Sequence, residues 1–176
     1  MKITAQEEYG LRCLLRLARA DEGPAHTIPE IAAAEGLSAP YVAKMLAVLR
    51  QAGLIESVRG RAGGYRLSRP TSEITLESVM RALGEPLFDD PGYCQRHAAP
   101  DSSNGQCVHH ESCTLRALWQ TLELWMRSTL DKITLADLLQ TEVHVTELLR
   151  SRLEETVLEP TGNLIELTPL HRGSLG

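Results

Sequence analysis

The chain has 176 residues, 43% of them hydrophobic and 4% aromatic, with a formal net charge of −5. That length holds one ordinary domain or two small ones, and that composition excludes a disordered chain. No apolar run reaches the roughly 18 residues of a membrane span, and "MKITAQEEYG" lacks the apolar stretch of a secretory signal, so a cytoplasmic protein with no membrane partner is expected.

Residues 5–20 read as a helix, with Leu11, Leu14, Leu15 and Ala18 on one buried stripe. Cys13 lies within it and reads as a small buried hydrophobe. "TIPE" forms a capping box, with Thr27 as cap, Pro29 in the first turn and Glu30 reaching back. The short helix that follows stops at Gly36. Ser38 can cap a third helix, whose buried stripe is Val42, Met45, Leu46 and Leu49. "LIESVRG" and "YRLSRP" read as two strands joined by the turn "RAGG", and "TLESVMRAL" as a fourth helix capped by Thr75. Residues 84–113 read as loop. A long helix begins at Thr114, and "ITLADLL" reads as a short helix capped by Thr134. The segment "VHVTELLRSRLEETVLEP" has some helical pattern, and the last dozen residues read as a frayed tail.

This order makes a mainly α protein with a small β-hairpin, arranged as a winged helix-turn-helix. The charge distribution agrees. Five arginines and one acid lie between Arg50 and Arg69, although the chain as a whole is acidic. The second helix of a helix-turn-helix presents its N-terminal residues to the major groove of double-stranded DNA. Here these are Ser38, Pro40, Tyr41 and Lys44. Arg59 and Arg61 flank the wing tip, where a long cation can enter the minor groove or hold a phosphate. Gly63 and Gly64 permit a tight turn and close backbone approach.

Three of the four cysteines, Cys94, Cys107 and Cys113, fall in one polar stretch with the spacing Cys-x12-Cys-x5-Cys. The residues around them cannot bury thiols by packing. Clustered cysteines of this kind suit a soft metal, either zinc or an iron–sulfur cluster. A reduced loop and a thiol redox switch remain open. A fourth ligand would come from His97, His109 or His110. No nucleophile–base constellation is evident, so an enzyme is not expected. A small redox or cluster-transfer protein is the remaining alternative, and it leaves the wing without a purpose.

"MKITAQEEYGLRCLLRLA", "LSAPYVAKMLAVLRQAGLIESVRGRAGGYRLSRP", the three-cysteine stretch and "ITLADLL" occur in that order. With these motifs the chain resembles the Rrf2 family of winged-helix transcription regulators over about residues 1–140. The resemblance implies a homodimer crossed at the long helix, with Leu115, Leu118, Trp119, Leu122, Trp125 and Met126 at the interface. It divides the chain into a DNA-binding domain at 1–83, a cluster-binding loop at 84–113, a dimerisation helix with a short follower at 114–140, and a C-terminal extension at 141–176. It implies a repressor whose operator affinity answers to nitric oxide, redox state or iron status. The sensor would be a 4Fe-4S or 2Fe-2S cluster on Cys94, Cys107 and Cys113. The gap after Cys94 is longer than the family's usual one. Where one branch has a histidine ligand three residues after the last cysteine, this chain has Arg116. Another branch takes a carboxylate from the first helix of the other subunit, and that position is Glu8. Arg12 would then lie over the cluster, with His109 and His110 as rival ligands. Without the resemblance, Glu8 and Arg12 read as a surface ion pair at i,i+4.

Overall fold

The computed structural model describes residues 3–19, 25–60, 63–86, 88, 90–98, 107–109 and 111–158. Helix starts are set locally by hydroxyl caps. α1 (Ala5–Ala18) begins at Thr4, whose hydroxyl accepts from the Glu7 amide while the Glu7 carboxylate accepts from the Thr4 amide. α2 (Ile28–Glu35) has the Thr27–Glu30 box, Pro29 in its first turn and Gly36 beyond its end at φ +66°. α3 (Ala39–Gln51) follows at a bend of 112°, within the range of a helix-turn-helix. Its stripe of Val42, Met45, Leu46 and Leu49 is fully buried.

β1 (Ile55–Val58) and β2 (Gly64–Leu67) pair antiparallel, with Ile55 opposite Leu67 and Val58 opposite Gly64. A further rung is added from outside the hairpin. His26 donates to the Tyr65 carbonyl at 2.9 Å and accepts from the Tyr65 amide at 2.8 Å. The chain before α2 thereby ties the wing to the domain. A Cβ on Gly64 would lie 2.6 Å from the His26 carbonyl carbon, so this glycine serves an approach of the protein to itself.

A 3-10 turn (Thr71–Glu73) leads into α4 (Leu76–Leu83), with Thr75 accepting from the Ser78 amide. α6 (Thr114–Asp131) is the long helix, and α7 (Leu135–Leu138) has a Thr134–Asp137 capping box. Backbone bonds from Leu76 to Ile133 at 2.7 Å and from Leu135 to Ile74 at 2.8 Å clip α7 to the start of α4. α8 (Glu142–Leu158) closes the described chain. The core joins α1, α2, α3, the wing, α4 and α7 through Leu14, Ile31, Met45, Leu54, Ile74, Val79 and Leu135. Burying each such aliphatic side chain contributes about 1.5–3 kcal/mol.

Two expectations are corrected. The stretch 84–113 is not all loop: α5 (Asp90–Arg96) carries Cys94. Pro91 sits in the first helical turn, where its missing N–H costs nothing. Ring contacts from Phe88 to Tyr93 at 5.1 Å and from Tyr93 to His97 at 4.5 Å stiffen the segment. Ser38 occupies the N-cap position of α3 with extended backbone, yet its hydroxyl makes no capping bond.

Candidate DNA interface and cysteine site

The N-terminus of α3 projects from the domain. Ser38, Pro40 and Lys44 are exposed, on the side opposite the buried stripe. The Ser38 hydroxyl, unused as a cap, can donate outward. Tyr41 is half-buried, its ring meeting Tyr9 of α1 edge-on at 5.7 Å and 85°. On the wing Arg59 is exposed, whereas Arg66 pairs with Glu56 at 2.7 Å across the hairpin. Arg69 donates to the Glu73 carbonyl at 3.2 Å, and so belongs to the turn after β2. Lys44, Arg50 and Arg59 are therefore the exposed cations without an ion pair among the described residues of this region. Arg61 lies outside the described residues. Gly63 donates to the Gly60 carbonyl at 3.0 Å inside the wing turn, where Gly60 has φ +110°.

α1 carries a second set. Arg12 does not pair with Glu8. Its Nε donates to the Glu35 carboxylate at 3.1 Å and its Nη2 to the Glu35 carbonyl at 2.6 Å, which caps the end of α2. Its guanidinium lies 5.6 Å from the centre of the Tyr9 ring. Proximity along the helix favoured Glu8, but the C-terminal carbonyl of α2 offers a second acceptor that Glu8 cannot. Glu8 is exposed. Cys13 is fully buried, and burial, then the Glu35 charge, pushes its thiol up to about 11.

Cys94, Cys107 and Cys113 are free thiols, each half-buried. Cys94 stands on α5. Cys113 is the N-cap of α6, its sulfur accepting from the Arg116 amide at 3.4 Å. The Arg116 guanidinium reaches back to the Cys94 sulfur at 3.7 Å. One residue thus touches two thiols that are separated by a long segment of chain. Among the described residues no group of three or more His, Cys, Asp or Glu side chains is gathered closely enough to hold a metal ion. His97 directly follows α5 and turns back to it, its Nδ1 at 2.9 Å from the Tyr93 carbonyl. His109 is exposed, and His110 lies outside the described residues.

α6 presents Leu115, Leu118, Trp119, Leu122 and Trp125 to solvent, between 36% and 57% exposed. Met126 is half-buried and lines a cleft of about 680 Å³ between α1, α4 and α6, along with Ile3, Leu11, Met80 and Leu130. The floor of that cleft is ionic. Glu77 accepts from Arg81 and from Arg127, and Arg127 also donates to Glu123. Burial by itself would raise the Glu77 carboxyl, but the bonds and charges of Arg81 and Arg127 outweigh it and hold it below the ordinary carboxylate range. The signal in the sequence was a pair of Glu-x3-Arg spacings on α4 and α6.

Among the described residues, no single helix is long and apolar enough to cross a membrane. Residues 3–141 match the family model described as "Rrf2: Iron-dependent Transcriptional regulator". The chain is 38% identical over 153 residues to the HTH-type transcriptional regulator NsrR of Geobacillus kaustophilus, covering 86% of this chain and 99% of the relative. Among solved structures it is similar to IscR of T. potens, at 32% identity and a TM-score of 0.59, over 79% of this chain and 86% of that one. It is also similar to CymR, the global cysteine regulator of B. subtilis, at 28% identity and a TM-score of 0.58, over 79% and 96%. The winged-helix fold of these solved neighbours is the one described above. The chain belongs to the Rrf2 family of transcription regulators.

Proposed function

We propose that this regulator is a repressor that binds operator DNA as a homodimer and that its affinity is set by an iron–sulfur cluster. The cluster ligands are Cys94, Cys107 and Cys113, with a fourth from Glu8 of the partner subunit. The donor chemistry fits. Cys13 is sealed in the core, and the other three thiols are unbridged and reachable. The observation that carries the reading is the meeting of Cys94 and Cys113 at Arg116. Cys107 is the third thiol of the same stretch, separated from Cys113 by five residues in the spacing Cys-x5-Cys. When bound, such a cluster supplies a site that reacts with nitric oxide or oxygen.

The rest of the switch is the chain's own. Glu8 precedes Tyr9, whose ring meets Tyr41 at the start of the recognition helix. A shift of α1 at Glu8 reaches α3 through that ring contact and through Arg12 on Glu35. Ser38, Pro40, Tyr41 and Lys44 enter the major groove, and Arg59 and Arg61 hold phosphate or minor groove. Gly63 keeps the wing turn tight, and Gly64 lets the wing approach His26. The exposed Leu115–Trp125 stripe supports the homodimer. Such a stripe on one subunit matches the apolar cleft beside Met126 on another, as a two-fold interface requires.

A thiol switch is the second reading, supported by the likeness to CymR, which is known from Staphylococcus aureus in an oxidized form, at 30% identity and a TM-score of 0.58. Anaerobic purification separates the two. A brown or red protein with stoichiometric iron and sulfide, bleached by nitric oxide with altered operator binding, is expected. A colourless protein that binds zinc or cycles through a disulfide overturns the cluster reading. Loss of colour in Cys107→Ala and Cys113→Ala locates the site.

A further inference from the structure

We infer that Arg116 is a positioning residue of the cysteine site, a fixed cation that holds Cys94 against the N-terminus of α6 and stays beside the sulfurs when they bind a cluster. The inference rests on the cluster reading only for its second half.

The geometry is specific to this side chain. Any residue at position 116 would offer its amide to Cys113, because that bond belongs to the helix cap. The bond to Cys94 is different. It runs 3.7 Å from Nη1 to the sulfur and spans 22 positions, from the first turn of α6 to α5. The neighbouring groups point elsewhere: His97 turns back to the Tyr93 carbonyl and Cys113 serves its own helix cap. Arginine cannot itself be a ligand, since its guanidinium stays protonated and has donors only. Its planar fork can instead serve a sulfur and keep a second direction for another acceptor. Arg116 is half-buried, so its charge is less screened than that of a surface arginine. Several thiolates brought together repel one another, and an adjacent fixed cation offsets that repulsion. Donors to cluster sulfurs and nearby positive charge also raise a cluster's reduction potential.

The experiment has two arms on the full-length chain. In the metal-free reduced protein, dibromobimane bridges neighbouring thiols, and mass spectrometry counts the Cys94–Cys113 peptide. Arg116→Ala is expected to lower that yield about fivefold, the worth of one charge-assisted hydrogen bond at a half-buried site. Arg116→Lys recovers part of it, and circular dichroism shows the helices unchanged in both. An unchanged yield in Arg116→Ala overturns the positioning role. In protein reconstituted with ferrous iron and sulfide, Arg116→Ala shifts the reduction potential to more negative values, while Arg116→Lys leaves it near that of the parent. An equal potential in all three overturns the second half. If the parent takes up no iron and sulfide, the cluster reading fails and the second half with it, while the bridging yield still decides the first.

Discussion

Arg127 of α6 donates to Glu77 of α4 at 2.7 Å across fifty positions of sequence. Glu77 is 6% exposed, and so is Glu123, the other acceptor of Arg127. This pairing fastens the long helix to α4 with charge at the floor of a cleft that Ile3, Leu11, Met80, Met126 and Leu130 also line.

Removing one partner leaves a buried charge short of its bonds. Glu77→Ala and Arg127→Ala are each expected to destabilise the protein by about 1–3 kcal/mol, read from urea unfolding at neutral pH. The pH dependence follows from the depressed Glu77 carboxyl. Its contribution is fully present above the unfolded value of 4.5 and is lost as pH falls through the lower folded value. The gap between parent and Glu77→Ala should therefore narrow in acid. A gap that widens there would place the stabilisation elsewhere.

Lys44 and Arg59 are exposed and make no intramolecular ion pair among the described residues. Each Ala substitution should weaken operator binding and reduce the salt slope by about one unit, as one phosphate contact is lost. Arg66→Ala, which removes the partner of Glu56, should change the slope less. Equal slopes for the parent, Lys44→Ala and Arg59→Ala would remove both residues from the interface.

The Tyr9–Tyr41 contact joins α1 to α3. A double-mutant cycle with Tyr9→Ala and Tyr41→Ala should give a coupling of about 0.5–1.5 kcal/mol in unfolding free energy. Strict additivity would mean that the rings are neighbours without interaction.

Cys13 differs from the other thiols. At mildly alkaline pH iodoacetamide should label Cys94, Cys107 and Cys113 in native metal-free protein and spare Cys13, whose thiol titrates at about 11 and is fully enclosed. Denaturant should then expose it. Labelling of Cys13 at the rate of the others in folded protein would contradict its place in the core.

Leu122 and Trp125 are 37% and 44% exposed on α6. Leu122→Glu and Trp125→Glu should halve the mass seen by light scattering while leaving the helical signal intact, because neither residue supports the core of its own subunit. An unaltered mass would remove the stripe from the interface.

Much of the fold was legible because its signals are local. The Thr27–Glu30 and Thr134–Asp137 boxes each occupy four consecutive residues, and the α3 stripe follows helical spacing. The failures involve competition with distant groups. Arg12 passes over Glu8 on its own helix for Glu35, 23 positions away. The wing acquires a rung from His26, which no hairpin pattern contains. α5 was hidden because Pro-Gly signals a turn unless the proline falls in a first helical turn. The cysteines were visible as a group, but Arg116 stood out only as a missing histidine, and its reach to Cys94 depends on how α5 and α6 lie together.

Gly10 is buried where α1 crosses α4, and a Cβ there would overlap the Leu83 side chain. The two helices are in contact along that line, with no slack for α1 to slide. α4 in turn is bolted to α6 by Arg127 and clipped to α7 by its backbone. Any movement of α1 therefore has to carry α4 with it, and through α4 the long helix and α7 as well.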